Sequence, residues 1–415
     1  KRIRRYTHTC NNSITIPSFF SNRYRDEKKM LQVIAAIFIV IFFIPYTASG
    51  FAACGKLFSS LFGVKYLTAM IISAIVIVAY TTLGGFLAAS TTDFIQSIIM
   101  SVALIVVLIF GVETAGGIGA VIHNASELPG YLSMTLSYDV NTGKAAPYSA
   151  LTIVSTAAWG LGYFGMPHIL LRFMAIEDEK KLKLSRRVAT IWVVISLFVA
   201  VFIGVIGYTM SKVGALEMLT GSNSETIIVK ISALLSQHGV IFALLAGVIL
   251  AGILASTMST SDSQLLAASS AVSSDILGAF RKDSSNKNGS MAAARITLLV
   301  ISVVAAFIAR NPDSSVFAIV SFAWAGFGAA FGPVVLFSLF WKRTSKWGAL
   351  AGMVCGGSMV FIWKYLIRPL GGIWNIYELL PAFLIACAAI VIVSLLTPKP
   401  SKEIEEEFDR VAQMK

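Results

Sequence analysis

Long apolar runs recur along the whole chain, separated by short polar connections. The runs from Met30 to Ala53 and from Tyr66 to Ala89 both exceed the roughly 20 apolar residues that a membrane-spanning helix needs. Hydropathy predicts ten such spans, which cover residues 30–53, 66–89, 94–112, 148–175, 188–210, 239–270, 292–309, 316–340, 348–367 and 377–396. The pattern therefore predicts an all-α integral membrane protein with ten visible transmembrane helices.

Composition and charge support this prediction and orient the spans. Of the 415 residues, 56% are hydrophobic and 13% are charged, against about 25% charged residues in soluble domains. When the spans are threaded alternately, 25 of the 33 Lys and Arg residues fall on one side. The positive-inside rule then places both ends of the chain in the cytoplasm and the protein in the plasma membrane. Because topology explains the basic excess, no nucleic-acid partner is inferred.

The polar segments divide the chain into three parts. Residues 1–29 are predicted to be a cytoplasmic loop, residues 30–396 a transmembrane domain, and residues 397–415 a short charged cytoplasmic tail, either helical or disordered. The sequence starts at Lys1 rather than Met, and no apolar signal segment precedes the first span. We therefore expect a fragment whose transmembrane domain is incomplete at its N-terminus.

A hydroxyl-rich stretch occupies the sixth span. Ser256, Ser259, Thr260 and Ser263 follow the i, i+3, i+4, i+7 spacing that places them on one face of a helix. Neutral and anionic oxygens suit a hard cation such as Na+, whereas small-residue helix packing is the alternative. Asp262 either contributes to such an ion site or is a solvated carboxylate at the cytoplasmic mouth.

The fourth span is interrupted by helix-breaking residues, at Gly160, Gly162, Gly165 and Pro167. A broken helix at membrane depth is tolerated only where it lines a cavity or is buried in protein. Trp159, Tyr163 and Phe164 beside the break are therefore candidates for the wall of a small-solute pocket. A simple proline kink with aromatic packing is the alternative.

Three other features carry a choice of interpretations. Asp93 follows a glycine pair, Gly84 and Gly85, and is interpreted as the N-cap of the third span, with a cation-exit carboxylate as the alternative. His168 is interpreted as a buried imidazole with hydrogen-bond partners rather than a proton relay. In the eighth span, the glycines around Pro333 predict close helix packing, with a gating hinge as the alternative.

Motifs of ATP-driven pumps and hydrolases are missing from the sequence. It has no GxxxxGK[ST] loop, no HExxH and no GxSxG. We expect a protein that is not an enzyme and needs no cofactor. A passive channel is the rival class, because glycines and hydroxyls also line pores.

Several of these segments together resemble one family of carriers. The stretches GGFLAASTTDFIQ, WGLGYFGMPHILLRFMA, ILASTMSTSDSQLL and AWAGFGAAFGPVVLFS resemble the sodium:solute symporter family, and within it the sodium/proline branch, over essentially the whole chain. The resemblance implies thirteen helices around two inverted five-helix repeats, a LeuT-like transporter fold. Three of those helices would precede Lys1, including a discontinuous one that contributes to the substrate and sodium sites.

The resemblance also implies roles for individual residues. It places sodium binding on Ser256 (through its backbone carbonyl), Ser259 and Thr260. It places proline binding on Tyr46, Trp159, Tyr163 and Pro167. Asp93 matches a family carboxylate linked to sodium dependence, and Asp93 and Asp262 are the candidate ion-pathway carboxylates. Met166 stands where close relatives usually carry Gln.

The activity that the resemblance implies is Na+-coupled uptake of L-proline by alternating access. Na+ would be the coupling ion, the lipid bilayer the surroundings, and no cofactor would be needed. The alternative within the family is Na+-coupled transport of another small carboxylate or amino acid.

Overall fold

The structure is a computed structural model that describes residues 1–280 and 287–414, with the side chains of residues 84–89 and 287–291 outside the description. Eight helices among the described residues are long and apolar enough to span a membrane. Two shorter apolar helices, Ala150–Phe164 and Ala292–Ile308, occupy the positions of the two remaining predicted spans. The all-α membrane architecture predicted from the sequence is therefore confirmed.

Two short helices precede the first span, and the longest loop contains an antiparallel hairpin in which Leu136 pairs with Pro147. The elements of the first half are α1 (Arg2–Thr9), α2 (Ile16–Arg23), α3 (Met30–Phe62), α4 (Tyr66–Thr114), α5 (Ile118–Ser126), β1 (Leu136–Asp139), β2 (Lys144–Pro147), α6 (Ala150–Ala157) and α7 (Pro167–Ala175).

In the second half, α10 continues through a π-helical turn, Ala271–Ile276. The elements are α8 (Leu182–Lys212), α9 (Ile227–Ser236), α10 (Val240–Ser270), α11 (Leu277–Phe280), α12 (Lys287–Ile308), α13 (Val316–Phe340), α14 (Lys346–Ile362), α15 (Leu379–Leu396) and α16 (Lys402–Gln413).

The second and third predicted spans both lie within α4. A straight helix of its 49 residues would measure about 74 Å, more than twice the thickness of the hydrocarbon core. The chain turns back instead, since the hydroxyls of Tyr80 and Thr92 are hydrogen-bonded although 12 positions apart. Both halves also lie against the same part of α10, with Ala103 beside Gly252 and Ala69 beside Leu254. The two-span prediction holds, while the pair Gly84–Gly85 lies outside the described side chains.

Helix α13 is the most buried of the spanning helices, because 72% of the residues in its most apolar stretch lie inside the protein. Its glycines allow neighbours to approach, as the notional Cβ of Gly326 would lie 2.2 Å from the ring of Phe42 on α3. On the opposite helix, a Cβ at Gly356 of α14 would lie 2.2 Å from the carbonyl oxygen of Ala329. The close packing predicted for this span is what the structure contains.

The segments predicted to be a cytoplasmic loop and a tail fold against each other. The thiol of Cys10 donates to Glu407 Oε1 of α16 at 2.6 Å, and Arg25 forms an ion pair with the same carboxylate. The ring of Phe408 lies under the guanidinium groups of Arg2 and Arg23, 4.9 and 5.7 Å from their central carbons. The tail is therefore a docked helix, and burial together with Glu407 raises the pKa of the Cys10 thiol.

Candidate functional site

The predicted break in the fourth span is present. Helix α6 gives way at Ala158 to a 3-10 helix that runs to Phe164, and α7 starts at Pro167. Glycine is required here because a Cβ at Gly162 would lie 1.9 Å from Trp324 Nε1, and one at Gly165 would lie 2.2 Å from the carbonyl oxygen of Phe327. One side of the break therefore lies directly against α13, which is the kind of protein contact that a break at membrane depth requires.

An aromatic cluster covers the freed backbone at the break. The indole N–H of Trp324 donates to the carbonyl oxygen of Trp159 at 2.9 Å, and the two indoles stack with centroids 5.2 Å apart. The ring of Tyr377 also stacks on Trp159, with centroids 5.9 Å apart. Tyr163 meets Trp324 edge-on, with centroids 4.8 Å apart. The side chain of Tyr163 is 47% exposed, and its role in a solute pocket stays a prediction.

The other two predicted substrate residues lie farther along the same wall. Tyr46 is buried on α3, and its ring lies 6.1 Å from that of His168, which follows Pro167 at the start of α7. The expectation that His168 has hydrogen-bond partners fails at one ring nitrogen, since Nδ1 has none among the described residues. Met166, at the position where relatives usually carry Gln, is fully buried at the N-cap of α7.

The predicted sodium ligands converge on one carbonyl. The hydroxyls of Ser259 and Thr260 both donate to the backbone oxygen of Ser256, at 3.1 and 3.0 Å. Serine and threonine make such bonds in many helices, so this arrangement serves packing as well as ion binding. All three residues are partly exposed, which leaves their oxygens reachable by an ion.

The chemistry of these donors favours an alkali cation over a transition metal. Within the described residues, no group of three or more His, Cys, Asp or Glu side chains is placed to hold a metal ion. The available ligands on this face of α10 are hydroxyl and carbonyl oxygens, which suit hard cations.

The structure corrects the N-cap role predicted for Asp93. The residue lies within α4 and after the first residue of its second span, Ser90, and its carboxylate forms an ion pair with Arg172 of α7. Arg172 also donates to Ser263 Oγ at 3.0 Å. Sequence reasoning missed Arg172, for which the only signal was a single cation at the end of an apolar helix.

Asp262, the second candidate ion-pathway carboxylate, is fully buried. Neither of its carboxylate oxygens has a hydrogen-bond partner among the described residues, and the same is true of the hydroxyl of neighbouring Ser261. Burial of this kind does not fit a solvated carboxylate at the cytoplasmic mouth. The remaining interpretation, a contribution to the ion pathway, stays a prediction.

A cavity of about 760 Å³ extends from this region. At one end it is lined by Pro167, His168, Arg172 and Ser263, and towards the other by residues 12–17 between α1 and α2. Asp275 also lines it, on the π-helical turn after α10. No pattern in the sequence singles out Asp275, because the predicted span ends at residue 270.

Comparisons with known proteins agree with this architecture. A sequence model of the sodium:solute symporter family matches residues 3–356. The osmoregulated proline transporter OpuE of Bacillus subtilis is 38% identical over 401 residues, which cover 97% of this chain and 78% of that protein. The sodium/proline symporter of Haemophilus influenzae is 40% identical over 415 residues, covering 99% of this chain and 79% of that protein.

A solved structure shows the same fold. The chain superposes on a Na+-coupled sialic acid symporter with a TM-score of 0.72 at 16% sequence identity, covering 94% of this chain and 78% of the symporter. The broken fourth span and the buried α13 are consistent with a transporter of this fold. Because the family model matches residues 3–356, the chain belongs to the sodium:solute symporter family.

Proposed function

We propose that the protein carries L-proline into the cell together with Na+, by alternating access in the plasma membrane. The observation that carries this proposal is the 37–40% identity, over 97% or more of the chain, to proteins named as proline transporters. The proposed topology places α1 and α16 in the cytoplasm, because 25 of the 33 Lys and Arg residues fall on that side. No cofactor is proposed, and Na+ acts as the coupling ion.

The proposed solute site is the aromatic wall at the break. Trp159 and Tyr163 lie beside Trp324, and a half-helix starts at Pro167, so the positive end of its dipole is available to an anionic carboxylate. The apolar faces of these rings suit the pyrrolidine ring of proline. Tyr46, on α3, is proposed to form a further part of the same site. A zwitterion of this size therefore finds both polar and apolar partners.

The proposed ion site is the carbonyl of Ser256 with the hydroxyls of Ser259 and Thr260. Na+ bound there favours the state that accepts solute, and each ligand then tightens the binding of the other by the same factor. The membrane potential adds about 2.3 kcal/mol per charge per 100 mV to inward movement. Asp93 and Asp262 are proposed to lie on the ion pathway.

A second candidate rests on Met166. This apolar side chain is buried where relatives of the proline branch usually carry a polar one, which favours a different small carboxylate or amino acid as the solute. Competition experiments with unlabelled amino acids separate the two candidates.

The test is uptake of radiolabelled L-proline by proteoliposomes that contain the purified full-length protein. We expect saturable uptake that needs an inward Na+ gradient and is lost in a Ser259→Ala, Thr260→Ala variant. Ser302→Ala is the matched control, because Ser302 Oγ donates to the carbonyl of Leu298 in the same helical geometry on α12, away from the site. Flux that ignores Na+ would identify a passive channel and refute the proposal.

A further inference from the structure

Asp275 is a buried carboxylate that the proposed transport site does not use. It lies on the π-helical turn Ala271–Ile276 that continues α10, and only 2% of its surface is exposed. Its Oδ1 accepts hydrogen bonds from Thr15 Oγ1 at 2.8 Å and from Gln32 Nε2 at 3.0 Å. Its Oδ2 has no hydrogen-bond partner among the described residues. One oxygen of a buried anion is thus left without a ligand.

A second buried carboxylate in the same part of the protein shows how the chain treats a structural anion. Asp26 is 4% exposed, and it pairs with Lys346 at 2.6 Å and accepts from the backbone N–H of Leu31 at 2.7 Å. For Asp275, by contrast, the described residues supply no ion pair. Because a buried anion without a cation is costly, the contrast points to a mobile cation as its partner.

The atoms around Asp275 suit a small monovalent cation. Thr15 Oγ1 contacts the carboxylate directly, and Ser18 Oγ lies 2.9 Å behind it, so a second hydroxyl oxygen stands next to the first. Both hydroxyls can rotate to offer a lone pair, and the amide of Gln32 can turn its oxygen inward. Carboxylate, hydroxyl and amide oxygens are the ligands that hard cations prefer.

The position of Asp275 links it to the central site through the cavity. Twelve positions separate it from Ser263 along α10 and its continuation, or about 18 Å at 1.5 Å per residue. The two ends therefore cannot share an ion. Ser269, Ser270, Ser273 and Ser274 also line the cavity, which provides hydroxyl groups in the part of this interval nearest Asp275.

From these observations we infer that Asp275, with Thr15 as a second ligand, forms a separate binding site for Na+ on the cytoplasmic cavity. The site receives the ion after it leaves the hydroxyl face of α10, and holds it until it is hydrated. π-Helical turns often mark functional positions, and this one directs the carboxylate to the cavity wall. The inference rests on the proposed function, because it takes Na+ as the transported ion and the cavity as cytoplasmic.

The decisive variant is Asp275→Asn in the full-length protein. Asparagine keeps an oxygen for the bonds from Thr15 and Gln32 but removes the charge. Proline flux is measured in right-side-out and inside-out membrane vesicles while Na+ is varied on one side at a time. We expect the Na+ concentration for half-maximal activation to rise about tenfold on the cytoplasmic side, as for loss of one charged ligand, and to change less than about twofold outside.

Two further variants distinguish a ligand from a structural contact. Thr15→Ser keeps the hydroxyl and should behave like the wild type, whereas Thr15→Val should shift the cytoplasmic Na+ dependence in the same direction as Asp275→Asn. Ser259→Ala should shift the dependence on both sides. Equal shifts on both sides for Asp275→Asn, or no shift, would overturn the inference.

A binding measurement keeps this test separate from that of the proposed function. If the wild-type protein shows no Na+-activated proline flux, the proposed function fails, and thermal stabilisation of the purified protein by NaCl relative to choline chloride is measured instead. In a Ser259→Ala background, we expect the remaining stabilisation by Na+ to be lost on adding Asp275→Asn. Stabilisation that persists in the double variant would exclude Asp275 as a ligand.

Discussion

Two spans of this protein contain the same helix-breaking residues and fold differently. The segment that ends in α7 has three glycines before Pro167 and is interrupted. Helix α13 also has three glycines before its proline, Pro333, and is a continuous helix. They pack directly against each other, with Gly165 against the carbonyl of Phe327. Composition alone therefore does not decide whether a span is interrupted.

The difference lies in how each freed carbonyl is covered. Pro333 cannot donate to the carbonyl of Ala329, and that oxygen faces Gly356 of α14, where the backbones approach closely. At the break, the carbonyl of Trp159 is reached by a side chain, the indole of Trp324. A carbonyl oxygen that is covered by a neighbouring backbone is consistent with an uninterrupted helix. A carbonyl oxygen that is covered by a side chain leaves space beside the helix, where a small solute could bind.

The largest predicted effect is on the contact between the two spans. Gly165→Ala would place a Cβ 2.2 Å from the oxygen of Phe327, a backbone atom that cannot move aside. We expect a loss of more than about 3 kcal/mol in unfolding free energy, the upper range for overpacking, and loss of folded protein. Gly160→Ala is the matched control, since nothing lies within 4 Å of its Cβ. Thermal unfolding in detergent measures the stability of both variants. Equal stabilities would contradict the close contact between Gly165 and the oxygen of Phe327.

A smaller effect is expected where α14 covers α13. Gly356→Ala brings a Cβ to 2.2 Å from the oxygen of Ala329, and we expect a loss of about 2–3 kcal/mol. Gly204→Ala on α8, which has open space at its Cβ, should be neutral or slightly stabilising. Because this contact includes none of the proposed ion ligands, Na+ activation of the residual transport should keep its half-maximal concentration. A large change in that concentration would mean that α13 acts as a hinge.

The third prediction concerns charge, since α13 has no charged residue and α7 carries Arg172. Arg172→Gln leaves the carboxylate of Asp93 without its cation, and we expect a loss of about 1–2 kcal/mol because the pair is partly exposed. The double variant Arg172→Gln, Asp93→Asn should recover part of that loss in a double-mutant cycle. Lys181→Gln, in the exposed pair with Glu177, is the control and should be silent. Strict additivity in the cycle would show that the two residues do not interact.

The smallest effect tests the covered carbonyl at the break. Trp324→Phe keeps the aromatic stack but removes the N–H that reaches Trp159, and we expect a loss of about 1 kcal/mol together with weaker proline binding. Trp192→Phe removes an indole hydrogen bond to Ser101 on the surface of α4 and should leave proline binding unchanged. Unchanged proline binding in both variants would show that the indole N–H of Trp324 has no role in the proposed solute site.

Much of the fold follows from hydropathy, because a bilayer leaves few alternatives to apolar helices. Eight of the ten predicted spans are spanning helices among the described residues, and the break at Gly165 and Pro167 was also predicted, since hydropathy and helix-breaking residues are local properties. The N-cap prediction for Asp93 was wrong because its partner, Arg172, is 79 positions away, and no local pattern encodes such a pair. Residue spacing gives contacts within one helix and is silent on contacts between helices.

The same limit applies to the candidate site. The face shared by Ser256, Ser259 and Thr260 could be predicted from spacing, and its sodium-binding role stays a prediction. Asp275 could not be identified, because its hydrogen bonds go to Thr15 and Gln32, more than 240 positions earlier. Its burial arises only once α2 and α3 pack on the continuation of α10.

The docked tail has a consequence for how the protein is made. Arg23 is 1% exposed, and its guanidinium lies against the rings of Tyr6, Tyr24 and Phe408. Translation delivers Phe408 after all the spans of α3 to α15, so the α1–α2 surface stays unfinished until those spans have been made. A nascent protein interrupted before that residue would display an uncovered arginine and apolar surface, which is the kind of signal that cellular proteases recognise in incomplete products.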